Sequence, residues 1–292
     1  LNSRQEATVL AVHGRRAVVR LADGSSVDAL IGSRALTPVA GDRVDIEVES
    51  DPPGLCHIHP RQGCLWRHDT RRHKRLLASH VDRMLVVAAP KPGISAEQLD
   101  RYLAIAAIDR MPASIVRHKA DLPDPALDAR LDEFRALGYP VLTTSAQTDA
   151  GLTELVAHIG RGTAVFVGLS GAGKSSLTGR LIPAARPRTG TLSTGSGEGR
   201  HTTTTTRLYP LPAGGAVLDS PGVRDIRLWP MAASELIHGF PELARAAEQC
   251  RFRDCAHDGE PRCAVAQGVA AGTISKRRLA SFRHLARYLA SA

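Results

Sequence analysis

The string Gly168-Leu169-Ser170-Gly171-Ala172-Gly173-Lys174-Ser175 has the spacing G-x-x-x-x-G-K-S. Glycines so placed let consecutive backbone N–H groups turn inward around phosphates. The lysine reaches the terminal phosphates, and the serine hydroxyl is a ligand for Mg²⁺. The helix that would begin there, with Ser176 in its first turn, adds the positive end of its dipole. An apolar strand at 164–167 before the loop and a helix at 176–181 after it supply the context this motif requires. The chemistry implied is the binding of a nucleoside triphosphate with its Mg²⁺. Further along, Asp219-Ser220-Pro221-Gly222 follows the apolar run 216–218, 45 residues beyond Lys174. From a strand end Asp219 can hold Mg²⁺ through water, and the Gly222 N–H can sense a γ-phosphate. Between the two motifs, residues 195–206 are polar and glycine-rich and end in five threonines. That stretch reads either as a disordered loop or as a switch in which one threonine closes over Mg²⁺ and the γ-phosphate.

To select guanine, a site needs a carboxylate facing the N1–H and the exocyclic amino group, two donors on one edge. Adenine lacks that amino group and shows an acceptor at N1, so the same carboxylate repels it. The usual carrier is N-K-x-D at a strand end, and no such string follows Gly222. Upstream, His118-Lys119-Ala120-Asp121 ends one apolar strand and Ser145-Ala146 ends the next. These six are the expected base-side residues, with Asp121 the discriminating one and GTP the expected substrate. His118 occupies the asparagine position; an imidazole replaces only part of an amide's hydrogen bonding, which predicts looser tethering of the loop. The order of base motifs, phosphate loop, switch and Asp219 motif is a circular permutation of the ordinary GTPase order. The closeness of domain termini allows such rejoining.

Cys250, Cys255, His257 and Cys263 form C-x4-C-x-H-x5-C. Three thiolates and one imidazole make a closed zinc set with no open position for chemistry, so the metal expected is structural. In so small a segment it would supply much of the folding energy. Cys56, His57, His59 and Cys64 also cluster, but their spacing is poor for a metal and they are read as structural.

The elements that must hold these groups follow from periodicity. Short strands at 8–12, 16–21, 26–31 and 43–48 are separated by turn signals. Val44, Ile46 and Val48 alternate with Asp45 and Glu47, as in a half-buried strand. A small all-β barrel over 1–66 is expected, best fitted by the five-stranded oligonucleotide-binding (OB) type, although an SH3-like barrel would read much the same. Residues 67–80 form a basic connector, with Arg67, Arg71, Arg72, Lys74 and Arg75 inside nine residues. It reads equally as a solvated linker and as a phosphate-contacting strap. Over 81–240, strands at 81–89, 114–118, 141–144 and 163–168 alternate with helices at 96–108, 125–137 and 152–159. That succession implies an α/β domain, a parallel sheet covered by helices. Over 241–292 the strand signal is lost, and the metal cluster precedes a helix with Leu279, Phe282, Ala286 and Leu289 on one face. The fold class expected is a circularly permuted α/β P-loop GTPase between an all-β barrel and a small helical zinc-binding domain.

Hydrophobic residues make up 43% of the chain but aromatics only 4%, so aliphatic packing must fill the core. No apolar run approaches the length of a membrane span. No positively charged start leads into an apolar stretch, so neither a signal peptide nor membrane association is expected. The net charge of +9 suggests a polyanionic partner, most simply nucleic acid. Five cysteines, three of them bunched near the C-terminus, point to a cytosolic metal site rather than a disulfide frame.

The permuted order, the string Gly199-Arg200-His201-Thr202-Thr203-Thr204 and the cysteine cluster together resemble the ribosome small-subunit-dependent GTPase A family, over nearly the whole chain. The resemblance implies a cytoplasmic bacterial GTPase that binds the small ribosomal subunit and its rRNA, assists its late maturation and is stimulated by that particle; a monomer is expected. In many GTPases a glutamine just after D-x-x-G orients the attacking water. Here that position is Val223, which cannot hydrogen-bond, so a low intrinsic rate is expected. His201, to which the resemblance also points, is the candidate catalytic residue that positions water once the threonine switch is ordered. The plainer reading is that His201 only packs the switch. Two rival functions stay open. One is an RNA-binding assembly protein with a vestigial nucleotide site, favoured by His118 and Val223 and opposed by the complete phosphate loop and Asp219. The other is an ATP-using P-loop enzyme, which Asp121 opposes.

Overall fold

The computed structural model describes residues 4–68, 74–182, 206–219, 226 and 228–291. Its first strands are β1 (Arg4–His13), β2 (Arg16–Leu21), β3 (Ser26–Ile31), β4 (Arg43–Glu47) and β5 (Gly54–Ile58). β1 is long enough to pair with both β2 and β4, and β5 joins β4 antiparallel and β3 parallel. The five strands therefore close in the ring 1-2-3-5-4, an OB-type barrel. The register shift between Val9 and Ala11 bends β1 so that it can serve both neighbours. Val9, Ala17, Val19, Val44, Ile46 and Leu55 fill the interior.

The basic stretch after the barrel stands on a hairpin, β6 (Leu65–His68) with β7 (Lys74–Ala78). Arg67 and Arg75 face each other across its ladder. Lys74 Nζ lies 4.4 Å from the centre of the Trp66 ring, and buried Leu77 and Ala78 anchor the second strand. Arg71 and Arg72 lie outside the described residues.

The α/β unit follows with β8 (Arg83–Ala88), β9 (Ala113–Arg117), β10 (Val141–Thr143), β11 (Thr163–Val167), β12 (Arg207–Pro210) and β13 (Ala216–Asp219), in the sheet order 10-9-8-11-13-12. Every pairing among them is parallel except that of β12 with β13. Strand order runs outward from β8 through β9 and β10, then resumes on the other side with β11. Between β8 and β11 the direction reverses, and the crevice at their carboxyl ends is where open α/β sheets take ligands. Alternate residues of β8 feed two layers. Met84, Val86 and Ala88 share an apolar cluster with α1 (Ala96–Ile108) and α2 (Pro125–Ala136). Leu85 and Val87 share another with α3 (Leu152–Ile159) and α4 (Lys174–Leu181). Burial on both faces is why this strand reads as an unbroken apolar run. β12 also pairs with β1, at Arg207 opposite Ala11, so barrel and α/β unit share one eleven-stranded sheet.

The C-terminal part is helical: α5 (Ala233–Leu236), α6 (Pro241–Ala247), α7 (Ala264–Ala270) and α8 (Lys276–Ala290). α8 buries Leu279, Phe282, Leu285 and Leu289, with Ala286 half-buried beside them. A buried charge network docks it. Arg278, without solvent exposure, donates to Asp100 of α1 and Glu242 of α6, each at 2.6 Å. Arg277 donates to Asp100 and to Glu133 of α2. Each carboxylate is compensated, which is the condition for burying such groups without a large penalty.

Candidate functional site

β11 delivers the glycine-rich loop, and packing dictates where its glycines stand. Gly168 and Gly173 have left-handed backbone angles, φ 136° and 102°. A β-carbon at Gly168 would lie 2.6 Å from the Val87 carbonyl oxygen, and one at Gly173 would lie 2.4 Å from Cδ2 of His118. The loop thus fits closely against β8 and against the end of β9. Lys174 opens α4, and its Nζ donates to the carbonyls of Gly168 and Leu169, both at 2.7 Å. α4 turns Ser175, Ser176, Gly179 and Arg180 toward a cleft of about 460 Å³, while Leu177, Thr178 and Leu181 are buried behind it.

The facing wall comes from the ends of β9 and β10, which supply His118, Lys119, Asp121, Ala146 and Gln147. Lys119 Nζ donates to the Gly171 carbonyl at 2.8 Å and to that of Lys91, pinning the phosphate loop to the base side. The Ala120 amide donates to the Thr144 carbonyl, joining the ends of the two strands. Buried Ser145 donates its hydroxyl to Asp121 Oδ1 and accepts from the amides of Gln147 and Thr148 at 3.1 and 3.3 Å. That hydroxyl holds the exposed Asp121 carboxyl below the usual carboxylate range. The outcome is an ionised carboxylate of fixed orientation on the cleft wall.

His118 is only 2% exposed. Its Nδ1 lies 3.0 Å from Thr144 Oγ1, its backbone N–H donates to the Ala88 carbonyl, and the opposite ring edge faces Gly173. Burial, and secondarily the Lys119 charge, lowers its pKa to about 4, so the ring is neutral near pH 7. The unfolded chain takes up a proton at this residue near pH 6.5, which the native chain refuses until about 4. Stability from the neutral ring is therefore intact above pH 6.5 and falls as pH drops through that window, by about 3 kcal/mol. Urea midpoints across the window should fall, and His118→Asn should flatten the profile. A variant with the unaltered chain's pH dependence would refute this assignment.

The proposed metal ligands also come together. Cys250, Cys255, His257 and Cys263 place their ligand atoms within 4.8 Å of one another. Around one tetrahedral zinc, Zn–S bonds of about 2.3 Å put thiolates roughly 3.8 Å apart. The Cys250 and Cys263 sulfurs are 4.0 Å apart, and His257 Nδ1 lies 3.6 and 3.4 Å from them. Both oxygens of Glu260 accept from backbone amides, of Ala256 and Asp258, and fix the turn between the ligands. Arg283 of α8 donates to the His257 carbonyl. The donor set and spacing fit a tetrahedral metal ion.

Asp219 ends β13 and is exposed. β13 is the parallel neighbour of β11, so Asp219 emerges beside the start of the phosphate loop. His201, Gly222 and Val223 lie outside the described residues. Sequence reasoning missed Gln147, Gly179 and Arg180 on the cleft. The signal available was positional: Gly179 follows Ser175, and Arg180 follows Ser176, by the four residues that keep one helix face, and Gln147 directly follows Ser145-Ala146.

The family model described as RsgA GTPase matches residues 58–229. A protein of Alcanivorax borkumensis described as small ribosomal subunit biogenesis GTPase RsgA is 40% identical, over 97% of this chain and 84% of its own. One of the same description from Pseudomonas aeruginosa is 38% identical, over 98% and 86%. Among solved structures, YjeQ from Thermotoga maritima matches with a TM-score of 0.81 at 26% identity, covering 99% of this chain and 100% of that one. YloQ, described as a circularly permuted GTPase, matches in fold with a TM-score of 0.77 at 23% identity, over 99% and 96%.

Proposed function

This chain belongs to the RsgA GTPase family, and from that premise we propose how its cleft hydrolyses GTP in the biogenesis of the small ribosomal subunit. Asp121, oriented by Ser145, accepts from the N1–H and amino group of guanine, with Lys119, Ala120 and Ala146 framing the base. Residues 168–176 wrap the phosphates, and Lys174 exchanges its loop carbonyls for the terminal phosphate oxygens. Ser175 and Asp219 would hold Mg²⁺, which would supply positive charge to offset that of the phosphates. The exposed Ser175 hydroxyl on the cleft and Asp219 beside the loop fit that ion. Zinc is the metal of the Cys3His cluster, in a structural role. The observation that carries the reading is the meeting of the Asp121 carboxylate with the phosphate loop across one cleft.

The barrel over 1–66 and the helical domain over 241–292 grip rRNA, an assignment supported by the net charge of +9, while 81–240, reached through the basic stretch 67–80, turns over GTP. The strand that leaves the threonine segment, β12, is bonded to the barrel, which gives nucleotide state a direct route to barrel placement. Among the described residues no helix is long and apolar enough to cross a membrane; the working form proposed is a cytoplasmic monomer. With Val223 in place of a water-orienting side chain, turnover is slow alone and rises on the small subunit, where His201 positions water.

GTP turnover measured with and without small subunits tests this. No turnover in either condition would favour an RNA-binding protein with a vestigial site. In the same assay His201→Ala should keep GTP binding and lose about a hundredfold in stimulated turnover. Unchanged stimulated turnover would leave His201 a packing residue.

A further inference from the structure

Arg180, which lines the cleft, is paired with Asp149, and neither residue belongs to the phosphate or the base motif. Asp149 is the single carboxylate of the loop 145–151. That loop is shaped by its own bonds: the Ser145 amide donates to the Ala150 carbonyl at 2.9 Å. At Gly151, φ 69°, a β-carbon would lie 1.9 Å from the Thr143 carbonyl oxygen. Across from it, Arg180 stands on the cleft face of α4. Its Nε donates to Asp149 Oδ1 at 2.6 Å and its Nη2 to Oδ2, a two-pronged ion pair. Both side chains keep solvent contact, at 36% and 52% exposure.

The pair joins two elements with different duties. α4 begins with the phosphate lysine, whereas loop 145–151 begins with Ser145, which orients Asp121. Separating the two walls breaks the pair. We propose that Arg180 and Asp149 form a latch across the mouth of the cleft that sets how long a guanine nucleotide stays bound. The latch rests on the guanine reading of this cleft and adds positioning residues to it. An exposed two-pronged pair is worth a factor of about two to five in an equilibrium or a rate, and salt weakens it.

The test is release of a fluorescent GDP analogue chased with excess GDP, on the full chain. Arg180→Ala and Asp149→Ala should each speed release about two- to fivefold. The double variant should release no faster than either single one. The charge exchange, Arg180→Asp with Asp149→Arg, should move the rate back toward that of the unaltered chain. Unchanged rates in the single variants would overturn the latch, as would acceleration by Arg180→Ala alone, which would make Arg180 a direct nucleotide contact. An unaltered chain that binds no GDP would overturn the guanine reading and the latch with it.

Discussion

Asp121→Asn is expected to turn the cleft from guanine toward xanthine nucleotides, with GTP affinity falling on the order of a hundredfold to a thousandfold. An ionised carboxylate offers only acceptors, which suits the two donors on the edge of guanine. Its pKa is held below the usual carboxylate range by the Ser145 hydroxyl, so it stays ionised across the physiological range. An amide keeps one acceptor and gains a donor. Against guanine that donor meets the exocyclic amino group; against xanthine it meets a carbonyl in the same place. Hydrogen bonds to charged groups contribute about 1.5–3 kcal/mol each, and losing one while opposing two donors accounts for the size of the effect. Ser145 can still donate to the amide oxygen, so the loop that carries residue 121 keeps its shape. Competition of GTP and XTP against a fluorescent GDP analogue measures the exchange. Unaltered GTP affinity would mean that Asp121 does not read the base.

The parts of this cleft that were legible in the sequence are those whose chemistry demands a local string. A phosphate loop needs its glycines and lysine at fixed spacing, and a base reader needs a carboxylate at a strand end, so residues 168–175 and 118–121 announce themselves. Arg180 and Asp149 are 31 positions apart and each reads as an ordinary surface charge; only the packing of α4 beside the loop after β10 brings them together. The hairpin β6–β7 was hidden for another reason. Its charges mask the alternation that marks a strand, and its buried apolar residues are only Leu65 on one strand and Leu77-Ala78 on the other. β5 carries no such alternation: Gly54, Cys56 and His57 leave Leu55 as its one fully buried apolar residue. The buried Arg278 had a readable sign: it precedes Phe282, Leu285 and Leu289 by four, seven and eleven positions, in phase with the buried stripe of α8. A charge in that phase requires compensation, and the compensating carboxylates, Asp100 and Glu242, lie far away in sequence.

Stripping the metal with a strong chelator, or replacing Cys263 with serine, should unfold the C-terminal helical domain. The four ligands span 250–263, a segment with little apolar content of its own, and binding free energy there is folding free energy. It is on the order of 10 kcal/mol in isolated finger peptides, comparable with the whole stability of a typical domain. Cys263 has a second duty that serine fills imperfectly. Its sulfur caps α7 by accepting from the Ala266 amide at 3.4 Å, and the residue is almost fully buried. Release of the cluster would free the His257 carbonyl from Arg283 and the His257 ring from Phe282, which loosens α8 from one end. At the other end Arg278 and Arg277 remain tied to Asp100, so unfolding should stop short of α1 and leave the parallel sheet standing. Limited proteolysis should therefore cut within 250–275 after chelation while a core containing the α/β unit persists, and far-UV circular dichroism should lose helix but not strand. One zinc per chain should appear in solution as the cuts appear. A chelated protein with an unchanged digestion pattern would show that these four residues hold no structural metal.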